Sequence, residues 1–287
     1  PRGRNMSCRT MLPRGEMMRK LSELKVLIKG GGEIASGIAH RLHRSQIGVC
    51  LTEVANPLAV SRGTTFSEAV FDGVKTIERV AAELVPTSPE EIEKVWQKGN
   101  IPIVIDPEAS IKDKIKPDVL VDATMAKRNI GTKMTDAPLV IGVGPGFYAG
   151  RDVHIVVETN HSKNLGKVIL EGEAEKNTGA PVAISGLTKE RVVWAPKAGI
   201  FTTDREIGDS VAVREVVGWV GDQPLEAPIS GILRGLLRNG VGVSEGTKLI
   251  EIDPVNDRDI CFEIADKVRM IGAGVFKAIM LKFNIGD

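Results

Sequence analysis

The sequence predicts an α/β protein built from a Rossmann-like parallel sheet domain and a smaller all-β domain. The first observation is a buried strand, three glycines and an amphipathic helix in immediate succession over residues 25–42. The second is a segment of short strands and turns that occurs twice, at an offset of 32 residues: a motif that begins at position 195 occurs again at position 227. We expect four parts: a disordered extension over 1–20, the Rossmann-like domain over 21–162, the all-β domain over 163–254 and a C-terminal helical segment over 255–287 that packs on the first domain.

The glycine run predicts a phosphate-binding loop. Gly30, Gly31 and Gly32 separate the apolar strand from a helix that begins near Glu33. Glycine lets the backbone come close to a pyrophosphate, whose charge then faces the N–H groups and the positive end of the helix. The next strand ends at Glu53, where an acidic residue can accept hydrogen bonds from a ribose diol. These five residues are the predicted centre of a nucleotide site.

The glycine spacing departs from the dinucleotide-binding pattern at one position. Ala35 stands where the third glycine is expected, and the next glycine is Gly37. Alanine is an accepted substitute there, so the fold prediction is kept. A Rossmann-like fold that holds no nucleotide is the alternative.

The other elements of the first domain follow in order along the chain. A helical segment is predicted over 56–62. Ser88 and Pro89 predict the start of another helix, with the serine as its cap and the proline in its first turn. Continuous apolar runs predict further strands that are buried on both faces, as in a parallel sheet. These runs lie at 101–106, 119–122 and 139–144.

The loops after these strands supply further candidate ligand contacts, because open α/β sheets bind ligands at the carboxyl ends of their strands. Asp122 begins one such loop, and Lys127 and Arg128 in the same loop are candidate partners for phosphate. A second glycine-rich loop contains Gly142, Gly144 and Gly146. The alternatives are a solvated surface for the two cations and a tight turn for the glycines.

Composition excludes several classes of function. With 287 residues and a formal net charge of +1, the chain has no electrostatic reason to bind nucleic acid or a membrane. No apolar run is long enough to span a membrane, and we expect a cytoplasmic protein. Cys8, Cys50 and Cys261 are an odd number of cysteines at wide spacing, and we interpret them as reduced thiols. No metal site is expected, and His40 and His43, flanked by arginines, are interpreted as a solvated basic face.

The motifs support binding more firmly than catalysis. A dehydrogenase would usually present a histidine, tyrosine or lysine beside its nicotinamide site, and no such constellation is evident. No nucleophilic serine elbow or zincin helix motif occurs. The catalytic residues are therefore unknown and enzymatic activity is left open. An NAD(P)-dependent oxidoreductase remains the alternative function.

An internal repeat defines the second domain. Ala195 and Pro196 recur as Ala227 and Pro228, and further identities fall at turn glycines and at valine 211 and 243. Each copy is too small to bury a core alone, so the two copies must pack together. Paired copies of this kind resemble the barrel-sandwich fold of biotinyl and lipoyl carrier domains.

The repeat lacks the residue that a carrier domain needs. A carrier presents its acceptor lysine on the hairpin that joins the two halves, and no lysine occurs between Arg214 and Lys248. Covalent biotin or lipoate is therefore not expected. A structural or docking module is the prediction that remains.

Five motifs together resemble the YqeB-type proteins, which are called selenium-dependent molybdenum hydroxylase system proteins and are similar to XdhC-like accessory factors. The motifs lie at 26–40, 56–60, 66–70, 142–147 and 227–231. The resemblance runs from about residue 24 to the C-terminus. Members often have paired arginines after the 56–60 motif, whereas here Arg62 is the one candidate anion contact at that place.

The resemblance implies a role in maturing a selenium-dependent molybdenum hydroxylase. By analogy with accessory factors that handle molybdopterin, the first domain would hold a nucleotide or molybdopterin-type cofactor through the glycine loops and Glu53. Lys127 and Arg128 would neutralise phosphate. The all-β domain would contact the client hydroxylase or a second copy of the chain in a homo-oligomer.

Overall fold

The computed structural model describes residues 20–176, 183–255 and 257–283. The predicted disordered extension lies outside the described residues, apart from Lys20. Between residues 20 and 174 of the described part, the chain forms eleven strands. They are β1 (Lys25–Lys29), β2 (Gly48–Glu53), β3 (Val74–Ile77), β4 (Val80–Leu84), β5 (Ile101–Ile105), β6 (Val119–Asp122), β7 (Leu139–Val143), β8 (Tyr148–Ala149), β9 (Ile155–Val157), β10 (Val168–Ile169) and β11 (Gly172–Glu173).

Nine of these strands form one mixed sheet in the order β10-β9-β7-β6-β1-β2-β5-β4-β3. The seven inner strands are parallel, and the outermost strand at each edge is antiparallel to its neighbour. The other two strands, β11 and β8, form a separate antiparallel pair. The central position of β1 brings the loop that follows it between the loops after β2 and β6.

The described ranges contain five α-helices beside the sheets. They are α1 (Glu33–Arg44), α2 (Ala69–Asp72), α3 (Pro89–Gln97), α4 (Lys112–Ile115) and α5 (Asp266–Phe283). Helices α1 and α5 cover one face of the large sheet and share its core, while α3 packs against the other face through Ile92. None of the helices in the described ranges is long and apolar enough to cross a membrane.

Two local predictions have opposite outcomes. The predicted start of α3 is confirmed, since the Ser88 side chain caps the helix by accepting a 3.3 Å hydrogen bond from Glu91 N–H. The helix predicted over 56–62 is wrong, because only Arg62–Thr64 forms a short 3-10 turn. Long-range pairing takes the place of helical bonds there: the Val60 carbonyl accepts Leu236 N–H at 2.8 Å.

Residues 192–253, which we call the antiparallel part, contain only antiparallel strand pairs. The strands are β12 (Val192–Trp194), β13 (Gly199–Thr202), β14 (Ser210–Val211), β15 (Val216–Val220), β16 (Gln223–Glu226), β17 (Gly231–Leu236), β18 (Gly242–Val243) and β19 (Lys248–Asp253). They form two four-stranded sheets, β12-β19-β17-β14 and β16-β15-β13-β18. The repeat appears as an exchange of strands. Gly199 of the first copy pairs with Val243, and its counterpart Gly231 pairs with Val211.

The predicted fold class is wrong. In place of a Rossmann-like parallel sheet and a separate barrel-sandwich domain, the chain forms a large mixed sheet and several antiparallel sheets. A Rossmann arrangement needs helical crossovers between successive parallel strands. Here a β-hairpin precedes α3 between β2 and β5, the β5–β6 link holds only the one-turn α4, and the β6–β7 link holds a single 3-10 turn at Met134–Asp136.

The two cores are also joined by residues from distant parts of the chain. Val60, which follows β2, lies in the core of the antiparallel sheets. In the opposite direction, Ile271, Val275 and Ile279 of α5 lie in the core of the large sheet with α1. The domain bounds drawn from the sequence stay a prediction.

Helix α5 depends on a glycine at its closest approach to the large-sheet region. A Cβ atom at Gly274 would lie 2.3 Å from the Gly166 carbonyl oxygen and 2.9 Å from Val157 Cγ1. We expect Gly274→Val to lower the free energy of unfolding by about 2–3 kcal/mol, because overpacking displaces the helix. Urea unfolding measures this. Ala273→Val, on the exposed side of the same helix, is the control, and equal losses in both variants would contradict the packing argument.

Candidate functional site

A cleft of about 600 Å³ opens at the carboxyl ends of β1, β2, β5 and β6. The loops after these strands form most of its wall, and β19 contributes Lys248 from the antiparallel part. Most of the lining side chains are apolar, with hydroxyl and carboxylate groups among them. The lining includes Gly30, Gly32, Glu33, Thr52, Glu53, Pro57, Leu58, Ser67, Thr124, Met125, Ile130 and Lys248.

The glycine loop is held in place by hydrogen bonds on both sides. Gly30, with a φ of 95°, donates its N–H to the Thr52 carbonyl at 2.8 Å. The carbonyl of Gly31 accepts hydrogen bonds from Ser36 Oγ and from Ser67 N–H, each at 2.9 Å. Gly32 then caps α1, and a Cβ atom there would meet nothing within 4 Å. The loop is thus rigid at its base and open to the cleft at Gly32.

Glu53 closes the glycine loop from the β2 side. One of its oxygens accepts Gly31 N–H at 2.7 Å and the other accepts Val54 N–H at 2.8 Å. Burial raises the pKa of Glu53, and these two hydrogen bonds oppose the rise. The carboxylate therefore holds the backbone of the glycine loop in place. Each oxygen keeps a second acceptor position for a ligand donor.

Glu33 places a second carboxyl group in the cleft wall, at the first residue of α1. Burial raises the pKa of Glu33, and the negative charge of Glu251 raises it further. Lys248 and Arg234 oppose this rise. Two carboxyl groups beside one helix N-terminus favour a ligand that offers hydrogen-bond donors at that point over a bare phosphate.

Two buried hydroxyl groups next to the cleft have unused hydrogen-bonding capacity. Thr52 is 1% exposed and Ser67 is fully buried. Neither Thr52 Oγ1 nor Ser67 Oγ has a hydrogen-bond partner among the described residues, although both residues line the cleft. A buried hydroxyl without a partner costs about 1–3 kcal/mol. A bound polar ligand or an ordered water is the usual way in which that cost is offset.

A smaller charged cavity of about 320 Å³ adjoins the cleft and shares Glu33 and Lys248 with it. Lys248 and Arg191 both contact the Glu251 carboxylate. Burial on its own would raise the pKa of Glu251, but these two cations lower it to about 2. Arg234 and Lys267 also line this cavity. The cations of this adjoining cavity therefore come from the last third of the chain.

The structure places Asp122 in a buried network instead of the cleft lining. Its oxygens accept hydrogen bonds from Thr124 Oγ1 at 2.7 Å and from Thr132 Oγ1 at 2.5 Å. The Lys29 ammonium lies 3.9 Å from Asp122 Oδ2, and both side chains are almost completely buried. This arrangement supports the ends of β1 and β6 below the loops.

The remaining predicted contacts are also outside the lining of the cleft. Lys127 and Arg128 are exposed on a loop whose other residues, Met125 and Ile130, reach the cleft. The second glycine loop packs within the protein. Gly142 lies under the Phe147 ring, Gly144 against Thr159, and Gly146 against the backbone of Lys127 and Arg128.

Arg62 joins two parts of the chain. Its Nε donates a 2.6 Å hydrogen bond to the Leu236 carbonyl, and its guanidinium lies 3.6 Å from Glu68. It therefore connects the 3-10 turn after β2 to β17 of the antiparallel part. Of the twelve predicted site residues, the cleft lining includes Gly30, Gly32, Glu33 and Glu53, and Gly31 is hydrogen-bonded to Glu53.

Sequence reasoning missed Thr52, Ser67 and Lys248. Thr52 carries a usable signal, since it directly precedes Glu53 at the end of β2. Ser67 lies in the 66–70 motif, but neither Ser67 nor Lys248 carries a local signal of a site, because their positions depend on the path of the chain after β2 and on the packing of β19. A single sequence does not encode either in a local pattern.

Several solved structures are similar to this chain only at low scores. TcdA (CsdL) is 14% identical over 43% of this chain and 50% of that chain, with a TM-score of 0.28. The product-bound ectoine utilization protein EutE (DoeB) from Ruegeria pomeroyi is 14% identical over 80% of this chain and 84% of that chain, with a TM-score of 0.25. An aspartoacylase family protein from Mesorhizobium loti is 12% identical over the same two shares, with a TM-score of 0.26. Likenesses at these scores carry no argument.

No protein-family model matches the chain. The chain is 43% identical over 261 residues to the uncharacterized protein YqeB of Escherichia coli (strain K12), a match that covers 91% of this chain. The chain spans about half of that relative's length, since the match covers 48% of it. This identity over nine-tenths of the chain supports assigning it to the YqeB family.

Proposed function

We propose that the chain is an accessory factor in the maturation of a selenium-dependent molybdenum hydroxylase and that its cleft binds a nucleotide or molybdopterin-type cofactor. The observation that carries the binding part is the pair of partnerless buried hydroxyls, Thr52 Oγ1 and Ser67 Oγ, in the wall of the cleft. The maturation part rests on the resemblance to YqeB-type proteins.

The size and lining of the cleft support a ligand with a flat, partly apolar body. Its volume of about 600 Å³ lies within the usual range for small-molecule sites, roughly 300–1,000 Å³. Pro57, Leu58, Met125 and Ile130 offer apolar surface for the faces of a ring. A pterin or purine ring has such faces and also carries N–H donors at its edge.

The polar groups in the wall suit the edge of such a ring. Carboxylate oxygens of Glu33 and Glu53 accept hydrogen bonds from ring amino groups, and the hydroxyls of Thr52 and Ser67 act as donors or acceptors. The phosphate of the ligand would extend toward Lys248 and the adjoining charged cavity, or toward the exposed Lys127 and Arg128. When bound, a molybdopterin-type cofactor supplies dithiolene chemistry for molybdenum, while this chain's residues hold and shield it.

The antiparallel part would contact the client hydroxylase or a second copy of the chain. It exposes large apolar side chains at Trp194, Ile200 and Trp219, with exposed fractions of 45%, 52% and 36%. Exposed tryptophan is enriched at protein interfaces. It is also the part of the chain that shares Lys248 with the cleft, so docking there would lie close to the bound ligand.

Native mass spectrometry tests the binding proposal directly. The protein is purified gently from its own host, the mass of the intact complex is measured, and the released small molecule is identified. We expect a mass excess that matches a pterin or nucleotide with phosphate. As a control for specific binding, the ligand is removed from the protein by buffer exchange and the released compound is then added back.

Two results would count against the proposal. A bound nicotinamide dinucleotide would favour the oxidoreductase alternative, and a substrate-dependent change in the absorbance of the nicotinamide would then be sought. A protein that carries no small molecule, and takes up none from a host extract of small metabolites, would remove the support for the cleft as a cofactor site.

A further inference from the structure

A second cavity, of about 420 Å³, lies at the opposite end of α1 from the cleft. We call it the basic pocket, and it is lined by Gly37, His40, Arg41, Arg44, Glu78, Arg79, Ile264 and Arg269. Four guanidinium groups and one imidazole thus surround a single carboxylate. Helix α1 has 12 residues and is about 18 Å long, so the basic pocket is a site apart from the glycine loop.

Three elements that are distant in sequence build the basic pocket. The second half of α1 contributes one wall, the turn between β3 and β4 a second, and the start of α5 a third. Glu78 joins the second wall to the third: its Oε1 accepts the Ile264 N–H at 2.9 Å and an Arg269 Nη2 hydrogen at 2.5 Å. The pocket is therefore a fixed feature of the tertiary structure.

The turn that supplies Arg79 has an unusual backbone. Glu78 and Arg79 have φ values of 43° and 70°, in the left-handed region that favours glycine and asparagine. Non-glycine residues in this region persist where the surrounding structure holds them, and they are concentrated at functional sites. The hydrogen bonds of Glu78 hold this turn and leave Arg79 at the mouth of the pocket.

Most of the positive charge in the basic pocket is not neutralised. Arg269 is paired with Glu78. For Arg41, Arg44 and Arg79, no carboxylate within the described ranges lies within ion-pair distance, and Arg41 rests instead on the Phe276 ring. These three side chains are exposed, and the excess of positive charge around one cavity favours the binding of an anion.

His40 gives the basic pocket a buried ring nitrogen, Nε2, without a hydrogen bond. The residue is 9% exposed, and its Nε2 lies 3.8 Å from Glu78 Oε2, too far for a hydrogen bond. No other partner for Nε2 occurs in the described part of the chain. Burial lowers the pKa of His40, and Glu78 opposes that effect. The interpretation of His40 as part of a solvated face is wrong, because α1 turns it toward the β3–β4 turn.

We propose that the basic pocket binds the phosphate group of a phosphorylated small molecule. A guanidinium group can donate two parallel hydrogen bonds to two oxygens of one phosphate. Several arginines around one cavity can therefore bind the same phosphate dianion. The partnerless Nε2 of His40 supplies one more polar contact at the inner wall. The volume exceeds that of one phosphate, so a diphosphate or a phosphorylated organic molecule fits the pocket better than the free ion.

Isothermal titration calorimetry with inorganic phosphate and pyrophosphate tests the site on the whole chain, at fixed ionic strength in chloride. Arg79→Gly removes one cation and suits the positive φ, so the fold should be kept. Arg44→Gln removes a second cation from an exposed position. Arg151→Gln, at an exposed arginine paired with Asp152 and remote in sequence from the pocket, is the matched control.

We expect saturable pyrophosphate binding, weakened about tenfold by Arg79→Gly or Arg44→Gln and unchanged by Arg151→Gln. Gly32→Asp should also leave it unchanged, so this site and the cleft can fail independently. The absence of saturable binding to the native chain would overturn the proposal. Equal weakening by Arg151→Gln would do so as well.

Discussion

Replacing Asp122 with alanine is expected to lower the free energy of unfolding by about 3–5 kcal/mol, because it leaves the buried Lys29 ammonium without a counter-charge. The two side chains are 0% and 5% exposed, so water does not replace the lost carboxylate. The change also removes the acceptor for Thr124 N–H and for the hydroxyls of Thr124 and Thr132. Urea unfolding monitored by circular dichroism measures the loss.

The double variant Lys29→Met with Asp122→Leu separates the charge effect from lost packing. Removing both charges should cost less stability than Asp122→Ala alone, because no uncompensated charge stays buried. Asp222→Ala, which breaks the exposed pair with Lys197, is the control for a surface carboxylate and should leave the midpoint nearly unchanged. Normal stability of Asp122→Ala, together with loss of ligand, would instead return Asp122 to the ligand contacts that the sequence predicted.

Gly32→Asp is expected to weaken ligand binding in the cleft strongly while the protein stays folded. Gly32 has a φ of −67° and open space around its Cα, so the new side chain meets no steric barrier. Aspartate at a helix N-cap is itself favourable. Its side chain would, however, occupy the space where the edge of the ligand approaches the loop, and it would add a third carboxylate beside Glu33 and Glu53. We expect affinity to fall on the order of a hundredfold.

Gly32→Asn is the matched control, since it adds the same volume and a good cap without the charge. Binding is measured by calorimetry with the compound released from the native protein, and thermal unfolding checks the fold. A much larger loss for aspartate than for asparagine would show that the loop faces the anionic part of the ligand. Equal losses would indicate that the ring body lies against Gly32. Unchanged affinity in both variants would mean that the glycine loop does not form the site.

The cleft and the basic pocket share one structural cause, which is the position of α1. Its first turn follows the glycine loop at the sheet edge, and its second half faces the β3–β4 turn and α5. Gly37 allows this close packing, since a Cβ atom there would lie 2.0 Å from Val268 Cγ1. A change in the α1–α5 contact would therefore reach both cavities.

Local patterns in the sequence determined several features by themselves. The succession of β1, the glycine loop, α1 and β2 ending at Glu53 follows from hydrophobic spacing and glycine placement over a few dozen residues. The Ser88 cap is a contact between residues three apart. The repeat also predicted that two copies must pair, because neither can bury a core alone, and the exchange of strands between Gly199 and Val243 is the result.

The tertiary structure decided what these elements are attached to. Whether an edge strand of the large sheet pairs in parallel or antiparallel depends on the connection that joins it to its neighbour. Hydrophobic periodicity does not show how a strand will pair. Arg62 looks like an anion contact in sequence, yet Leu236 and Glu68 hold it. Ser67 and Lys248 reach the cleft, and Arg79 reaches the basic pocket, through contacts between residues far apart in the chain. Side-chain chemistry is local, whereas its surroundings are set by long-range packing, and the surroundings decide whether a charge binds a ligand or supports the fold.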